Sequence, residues 1–175
     1  MNRIAACLLS LALMPALAAD PPGRVGRLAW VEGEALTFTD PEAGWEPARV
    51  NSHLTSENSV WTEPRSRAEV SVGSIALRLE ETSQLDIARL DDDELRAHLA
   101  RGSLSVRVRY FEQGESIVVT TPDARFEVRG NGRFRIDADA GQGLSRLTVF
   151  AGSARLAASG GAVIVDTGRS VVVTG

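Results

Sequence analysis

The eight residues LSVRVRYF at 104–111 carry the clearest structural signal in this chain. Apolar and polar side chains alternate through the segment, with Leu104, Val106, Val108 and Tyr110 on one face and Ser105, Arg107 and Arg109 on the other. Because successive side chains of a strand point to opposite faces, this period of two predicts a β-strand with one face in a core and the other in water.

Two downstream segments repeat the alternation, FEVR at 126–129 and RFRID at 133–137. Gly130-Asn131-Gly132 lies between them, and Asn-Gly favours a tight hairpin turn because both residues accept positive φ. A dinucleotide-binding loop would need G-x-G-x-x-G followed by a helix, and here a strand pattern follows. We therefore predict a β-hairpin turn at 130–132 and no phosphate-binding loop.

Glycines open strand-like segments at irregular intervals along the chain, at Gly33, Gly73, Gly102, Gly152 and, more weakly, Gly168. Glycine suits corners where φ is positive or where two backbones approach closely. Many short strands separated by such corners predict an all-β domain built as a sandwich, a barrel or a coiled solenoid.

One segment, LDDDELRAHLARG at 90–102, fits two structures. Leu95 and Leu99 are four residues apart and would share one face of a helix capped by an aspartate. The same residues alternate with Ala97 as in the second strand of a hairpin whose turn is DDD. We predict the hairpin, because strand patterns flank the segment on both sides.

Length and charge limit the classes of protein to consider. The chain has 175 residues, enough for one domain with a substantial core, and a formal net charge of −4. An acidic chain offers no overall field that would attract nucleic acid, so we predict no nucleic-acid partner. All 19 basic residues are arginine, which a coding bias toward Arg and Ala explains better than selection for binding does.

The first 19 residues have the pattern of a cleavable signal peptide. Arg3 precedes an apolar stretch at 4–13, and Ala16-Leu17-Ala18 provides small residues for cleavage after Ala18 or Ala19. We predict a single domain at 20–175 without a transmembrane segment, located in the periplasm or secreted. The single cysteine, Cys7, falls within the leader, so the mature domain is expected to have no disulfide.

The sequence offers little for catalysis or metal binding. His53 and His98 are the two histidines, and neither stands in a triad or metal-ligand spacing. The carboxylates at 91–94 lack the spacing of a calcium loop and are expected to form a solvated turn, and the DADAG segment at 137–141 lacks the third oxygen ligand and the distant bidentate Glu of such a loop. We predict no enzyme activity, no cofactor and no metal. Trp30, Trp45 and Trp61 are expected to pack in the core, whereas a row of exposed aromatic rings would indicate carbohydrate stacking.

Arginines on the polar faces of the strands form the candidate binding surface. Guanidinium groups projecting from adjoining strands suit an anionic glycan, a lipid headgroup or an acidic partner. The simpler interpretation is that outward positions are polar and that Glu127 and Asp137 neutralise the charges. The candidate binding residues are Arg107, Arg109, Arg129, Arg133 and Arg135.

An ordered series of short motifs resembles the FecR-type periplasmic domain, and most closely the DUF6600-like exported proteins that contain it. These motifs run from Gly26-Arg27-Leu28 and Val31-Glu32-Gly33 through Trp45-Glu46-Pro47-Ala48, Leu54-Thr55, Val60-Trp61-Thr62, residues 66–70, Leu77-Arg78-Leu79, LARGSLSV at 99–106 and Thr121-Pro122 to Val128-Arg129-Gly130. The resemblance implies a β-solenoid-like or rolled β-sandwich domain outside the cytoplasm. In the regulators of this family the domain relays an envelope signal through a membrane helix, which we do not expect in this chain.

Three functions follow as hypotheses. The first is a non-enzymatic exported envelope module that binds a protein partner or a ligand such as a glycan, accessory to signalling. The second is a structural or scaffold protein of the envelope. The third, a carbohydrate-active hydrolase with dispersed carboxylates, has no motif in its support.

Overall fold

The computed structural model describes residues 23–139 and 141–175, and the leader predicted at 1–19 lies outside these ranges. All the regular elements in the described ranges are β-strands. They are β1 (Gly26–Glu32), β2 (Ala35–Asp40), β3 (Gly44–Pro47), β4 (His53–Leu54), β5 (Ser59–Thr62), β6 (Arg67–Val72), β7 (Ile75–Leu79), β8 (Gln84–Leu90), β9 (Glu94–Val108), β10 (Ser116–Thr120), β11 (Arg125–Val128), β12 (Gly132–Asp139), β13 (Leu144–Ala151), β14 (Ser153–Ala158), β15 (Gly161–Asp166) and β16 (Ser170–Thr174).

The strands form two open sheets that share β9. Sheet A has the order β4-β1-β6-β7-β9-β12-β13-β16, and sheet B has the order β3-β2-β5-β8-β9-β10-β11-β14-β15. The pairings are antiparallel except that of β9 with β10, which is parallel. The prediction of an all-β domain is confirmed, and among the described strands neither sheet closes on itself as a barrel would.

One continuous hydrophobic core fills the space between the sheets. It is composed mainly of Leu, Val and Ile, together with Phe126 and Phe134. Each such side chain contributes about 1.5–3 kcal/mol when it is fully buried. Leu104, Val106 and Val108 are all buried, as their alternation predicts. The same prediction is wrong for Tyr110, which follows the end of β9 and is 63% exposed.

The ambiguous segment at 90–102 forms a hairpin. Strand β8 pairs antiparallel with the first half of β9, with Leu90 opposite Leu95 and Ile87 opposite Ala97. Leu95, Ala97 and Leu99 are all buried, because a period of two places them on the core face of a strand. The prediction of a hairpin is therefore confirmed.

Strand β9 crosses from one sheet to the other at Gly102. Residues before Gly102 pair with β8 and β10 in sheet B, and residues from Gly102 onward pair with β7 and β12 in sheet A. Gly102 has φ of +88°, and a Cβ at this position would lie 2.6 Å from Cα of Ser83. The N–H of Ser103 donates to the buried Oγ of Ser83 at 2.9 Å. The corner thus requires glycine both for its φ and for the close approach of Ser83.

A second corner repeats this arrangement between β1 and β2. Gly33 has φ of +75°, and the N–H of Glu34 donates to the buried Oγ of Ser66 at 2.9 Å. The prediction of glycine corners is confirmed, because positive φ occurs at all five positions, Gly33, Gly73, Gly102, Gly152 and Gly168.

The prediction of a hairpin at Gly130-Asn131-Gly132 is wrong. Strand β11 pairs with β10 and β14 in sheet B, whereas β12 pairs with β9 and β13 in sheet A. Asn131 does not have the positive φ that a tight hairpin turn needs. Its side-chain Oδ1 instead accepts a hydrogen bond from the N–H of Phe111 at 2.7 Å. The three residues form another corner between the sheets.

We expect Gly102→Ala to destabilise the domain by roughly 3 kcal/mol or more, since strained φ and overpacking each cost about 1–3 kcal/mol. Gly114→Ala is the matched control, because Gly114 has φ of +89° and no atom within 4 Å of the position of a Cβ. The control should lose only the part of the free energy of unfolding that comes from the strained φ, about 1–2 kcal/mol. Urea denaturation measures both free energies of unfolding, and equal losses would show that the contact with Ser83 does not matter.

Candidate functional site

Three of the predicted arginines lie together on the outer face of sheet A. Arg107 on β9 is directly opposite Arg133 on β12 and opposite Ala76 on β7. Directly opposed residues on neighbouring strands have Cβ atoms about 4.5–5.5 Å apart, so the two guanidinium groups are held on adjacent positions of one surface. Arg109 follows just after the end of β9, where its N–H donates to the carbonyl of Ser74 at 3.1 Å.

These arginines line a cavity of about 390 Å³, which we call the arginine groove. Small side chains at Ser71, Ala76 and Ser105 leave space between the longer ones, and Phe150 adds an aromatic ring that is 53% exposed. The complete lining is Glu69, Ser71, Ala76, Arg78, Ser105, Val106, Arg107, Arg109, Arg133, Phe134 and Phe150.

The groove has an excess of positive charge. Arg78 forms a salt bridge with Glu69 across strands β6 and β7. Within the described residues, Arg107, Arg109 and Arg133 have no carboxylate at salt-bridge distance. Like charges directly opposite one another destabilise a sheet. The four guanidinium groups and the single carboxylate of the lining therefore favour an anionic ligand.

The other two predicted arginines lie outside the groove. Arg135 forms a salt bridge with Asp137 at 2.8 Å and donates to Oγ of Ser103 at 2.9 Å, so its charge is neutralised locally. Arg129 follows β11 in sheet B, is exposed, and lines a separate cavity with Phe111. For Arg135 the simpler interpretation of the sequence holds, and Glu127 likewise pairs with Arg125 and Arg155.

Sequence reasoning missed Phe150 as part of this site. Leu147 and Val149 on β13 are buried, so alternation by itself assigns Phe150 to the outer face. The register between β12 and β13 shifts at Arg133, which pairs with Ala151 while Phe134 pairs with Val149. This bulge leaves Phe150 without a directly opposed residue, next to the arginines.

The prediction that the three tryptophans pack in the core is wrong. Trp30 and Trp45 are 45% and 43% exposed, and Trp61 is only partly buried. Trp30 lies opposite Glu69 on the outer face of sheet A, whereas Trp45 and Trp61 lie on the outer face of sheet B. The core needs none of them, because aliphatic side chains and two phenylalanines fill it.

The histidines and acidic segments lie away from the groove. Nδ1 of His98 is 3.0 Å from Oγ1 of Thr120 on sheet B, and His53 is exposed on β4. Asp139 caps its own turn by accepting N–H bonds from Gly141 and Gln142. Across the described ranges, no three His, Cys, Asp or Glu side chains come together as metal ligands would.

Asp91 is the carboxylate with the most contacts in the acidic turn between β8 and β9. It accepts hydrogen bonds from Nε of Arg89 at 2.5 Å, from the N–H of Glu94 at 2.8 Å and from the N–H of Asp93 at 3.1 Å. The bond from Arg89, followed by that from Glu94, lowers the pKa of the Asp91 carboxyl below its ordinary value. The predicted turn at 91–94 is confirmed, and its first residue holds it together.

Comparison with known proteins assigns the part of the chain that contains the groove to a defined family. Residues 58–155 match the model of the family described as FecR protein, and this segment includes every residue that lines the groove. The match covers more than half of the chain, so the protein belongs to the FecR family.

Solved structures agree on the fold. The chain is similar to a "putative anti-sigma factor" from Parabacteroides distasonis, known from crystal structures at 1.65 and 2.50 Å resolution. In each case the TM-score is 0.59 and the identity 14%, over 66% of this chain and 54% of the other. This chain thus spans about half the length of the structures it matches.

No curated protein matches the sequence. Among residues 23–139 and 141–175, no helical segment has the length and hydrophobicity to cross a bilayer.

The pH dependence of stability tests the role of Asp91. A carboxyl whose pKa is lower in the folded than in the unfolded state stabilises the fold above its unfolded pKa of about 3.9, and this contribution is lost as the pH falls from about 5 through the folded value. We expect Asp91→Asn to lower the urea midpoint at pH 7 and to approach the wild type at low pH. Asp92→Asn, in the same exposed turn, should match the wild type throughout; equal effects of both variants would refute the assignment.

Proposed function

We propose that this chain is a non-enzymatic, exported module of the bacterial envelope that binds an acidic protein partner through the arginine groove. In this proposal the leader at 1–19 is removed, residues 20–175 form one periplasmic or secreted domain, and the protein stands close to the DUF6600-like exported proteins. Membership of the FecR family supports a role accessory to signalling.

The chemistry of the groove supports an anionic partner. A guanidinium group presents donors in a planar fork that matches a carboxylate, and it stays charged at any physiological pH. Arg107 and Arg133 are adjacent and without a carboxylate at salt-bridge distance among the described residues, so an incoming acidic side chain would relieve their mutual repulsion. Phe150 offers apolar surface beside them, which suits a peptide better than a simple anion.

The same lining supports a binding role over catalysis. Apart from its arginines, the groove presents hydroxyl groups, small apolar side chains and the exposed phenyl ring of Phe150. Its carboxylate belongs to Glu69 and is engaged with Arg78. Guanidinium groups bind anions but do not donate or accept protons near neutral pH, so they supply no general acid or base.

The observation that carries the proposal, the pair of adjacent arginines, can be tested by substitution. We expect Arg107→Gln/Arg133→Gln to weaken binding of a fluorescein-labelled oligoglutamate peptide by about tenfold or more, because each charge-assisted hydrogen bond contributes about 1.5–3 kcal/mol. Fluorescence anisotropy measures the dissociation constant. Wild-type binding should weaken as NaCl rises from about 50 to 300 mM, because the groove is open to solvent and salt screens exposed charges.

The control is Arg146→Gln/Arg49→Gln, which removes the same number of charges from exposed positions outside the groove. It should bind the peptide as the wild type does. Equal weakening by both double variants would indicate a nonspecific charge effect and refute the groove as the binding site. Failure of the wild type to bind the peptide at low salt would also refute it.

Export is tested by the amino terminus of the mature protein. We expect protein recovered from the periplasm or the medium to begin at Ala19 or Asp20, since small residues precede both sites. Mass spectrometry of the intact chain measures this directly. An uncleaved chain found only in the cytoplasm would refute the predicted location. It would not bear on binding by the arginine groove, which the peptide assay tests separately.

A further inference from the structure

Three aromatic side chains form a row on the outer face of sheet B, which we call the aromatic stripe: Trp45 on β3, Phe38 on β2 and Trp61 on β5. Phe38 is directly opposite Trp45, and the residue opposite Phe38 on the next strand is Ser59, two positions before Trp61. Trp61 is therefore a diagonal neighbour of Phe38. The stripe crosses two strand spacings, roughly 10 Å of the sheet.

The rings contact one another and a neighbouring cation. The centroids of Phe38 and Trp45 are 5.7 Å apart with the ring planes at 55°, a favourable geometry for an aromatic pair. The guanidinium carbon of Arg101 lies 5.8 Å from the centre of the Trp61 ring, within the range of a cation–π interaction. These contacts hold the indoles in place, so less side-chain entropy is lost when a ligand binds.

Planar polar groups border the stripe on β8. Gln84 is directly opposite Trp61, and its Nε2 donates to Oδ1 of Asp86 at 3.1 Å. Asp86 is directly opposite Ser59 on β5, and Ser59 is in turn directly opposite Phe38 on β2. The face therefore combines aromatic rings with an amide, a carboxylate and the guanidinium of Arg101, and the charges of Asp86 and Arg101 offset each other.

We propose that the aromatic stripe is a binding site for a carbohydrate, of the class of β-linked glucose or N-acetylglucosamine polymers. The C–H bonds on the flat face of such a pyranose ring carry a slight positive charge and are attracted to the negative face of an aromatic ring. The hydroxyl groups around the ring rim both donate and accept hydrogen bonds, which the amide of Gln84, the carboxylate of Asp86 and the guanidinium of Arg101 can satisfy.

Two features of the stripe favour a sugar chain over a protein surface. The stripe spans two strand spacings, roughly 10 Å, which is about the length of a disaccharide, so successive sugar units can meet successive rings. The local balance of charge suits an uncharged polymer.

This site is independent of the arginine groove. The groove lies on the outer face of sheet A and the stripe on the outer face of sheet B, with the hydrophobic core between them. A protein with both sites would bind a glycan on one side and an acidic partner on the other. Loss of one activity is therefore expected to leave the other intact.

Calorimetric titration of the full-length mature protein with chitohexaose and with cellohexaose tests the proposal. We expect binding of at least one of these oligosaccharides and quenching of tryptophan fluorescence. Trp45→Ala should weaken this binding by about tenfold or more, since one stacked ring contributes roughly this factor. Gln84→Ala should weaken it less, and it provides a second variant that leaves every aromatic ring in place.

Trp30→Ala is the matched control, because Trp30 is equally exposed but lies on sheet A. It should bind the oligosaccharide as the wild type does, and near-ultraviolet circular dichroism should show that each variant is folded. The proposal is overturned if the wild type binds neither oligosaccharide, or if Trp45→Ala binds as tightly as the wild type. Equal losses in Trp30→Ala and Trp45→Ala would also overturn it, as would a Trp45→Ala variant that loses a protein partner but keeps the sugar.

Discussion

The hydrogen bond from the N–H of Ser103 to the Oγ of Ser83 is made where β9 bends from one sheet into the other. A backbone that leaves a sheet in the middle of a strand exposes amide groups that would be costly to bury without a partner. Gly102 permits the bend because it tolerates φ of +88° and leaves room for Ser83 directly beneath it. One strand can therefore serve both layers, and both sheets take their position from it.

The positions of the functional groups follow from this shared strand. Because the second half of β9 lies between β7 and β12, Arg107 comes to stand beside Arg133, a residue 26 positions later in the chain. The first half lies beside β8, which brings Arg101 against Gln84 and over the ring of Trp61. Each candidate site is thus built on a rigid sheet, where side chains are held more closely than on loops.

Much of the fold was predictable from local patterns. Alternation identified the strands around Leu104, Phe126 and Phe134, because burial of one face is a property of each strand separately. The hairpin at 90–102 was predictable for the same reason. The hairpin predicted at Gly130-Asn131-Gly132 was wrong because an Asn-Gly pair indicates that the chain turns, but it does not indicate which strand the next segment pairs with. The side chain of Asn131 found a partner in the backbone of Phe111, 20 residues away.

The sequence by itself determined that the chain forms strands with glycine corners and which face of each alternating strand is buried, since both are properties of a short local segment. Only the tertiary structure decided which outward side chains meet. Strand register brought Arg107 and Arg133 together, neutralised Arg135 with Asp137, and placed Trp45 and Trp61 on one surface. Outward positions carry no hydrophobic constraint, so their neighbours are set by strand order, which is a long-range property of the whole chain.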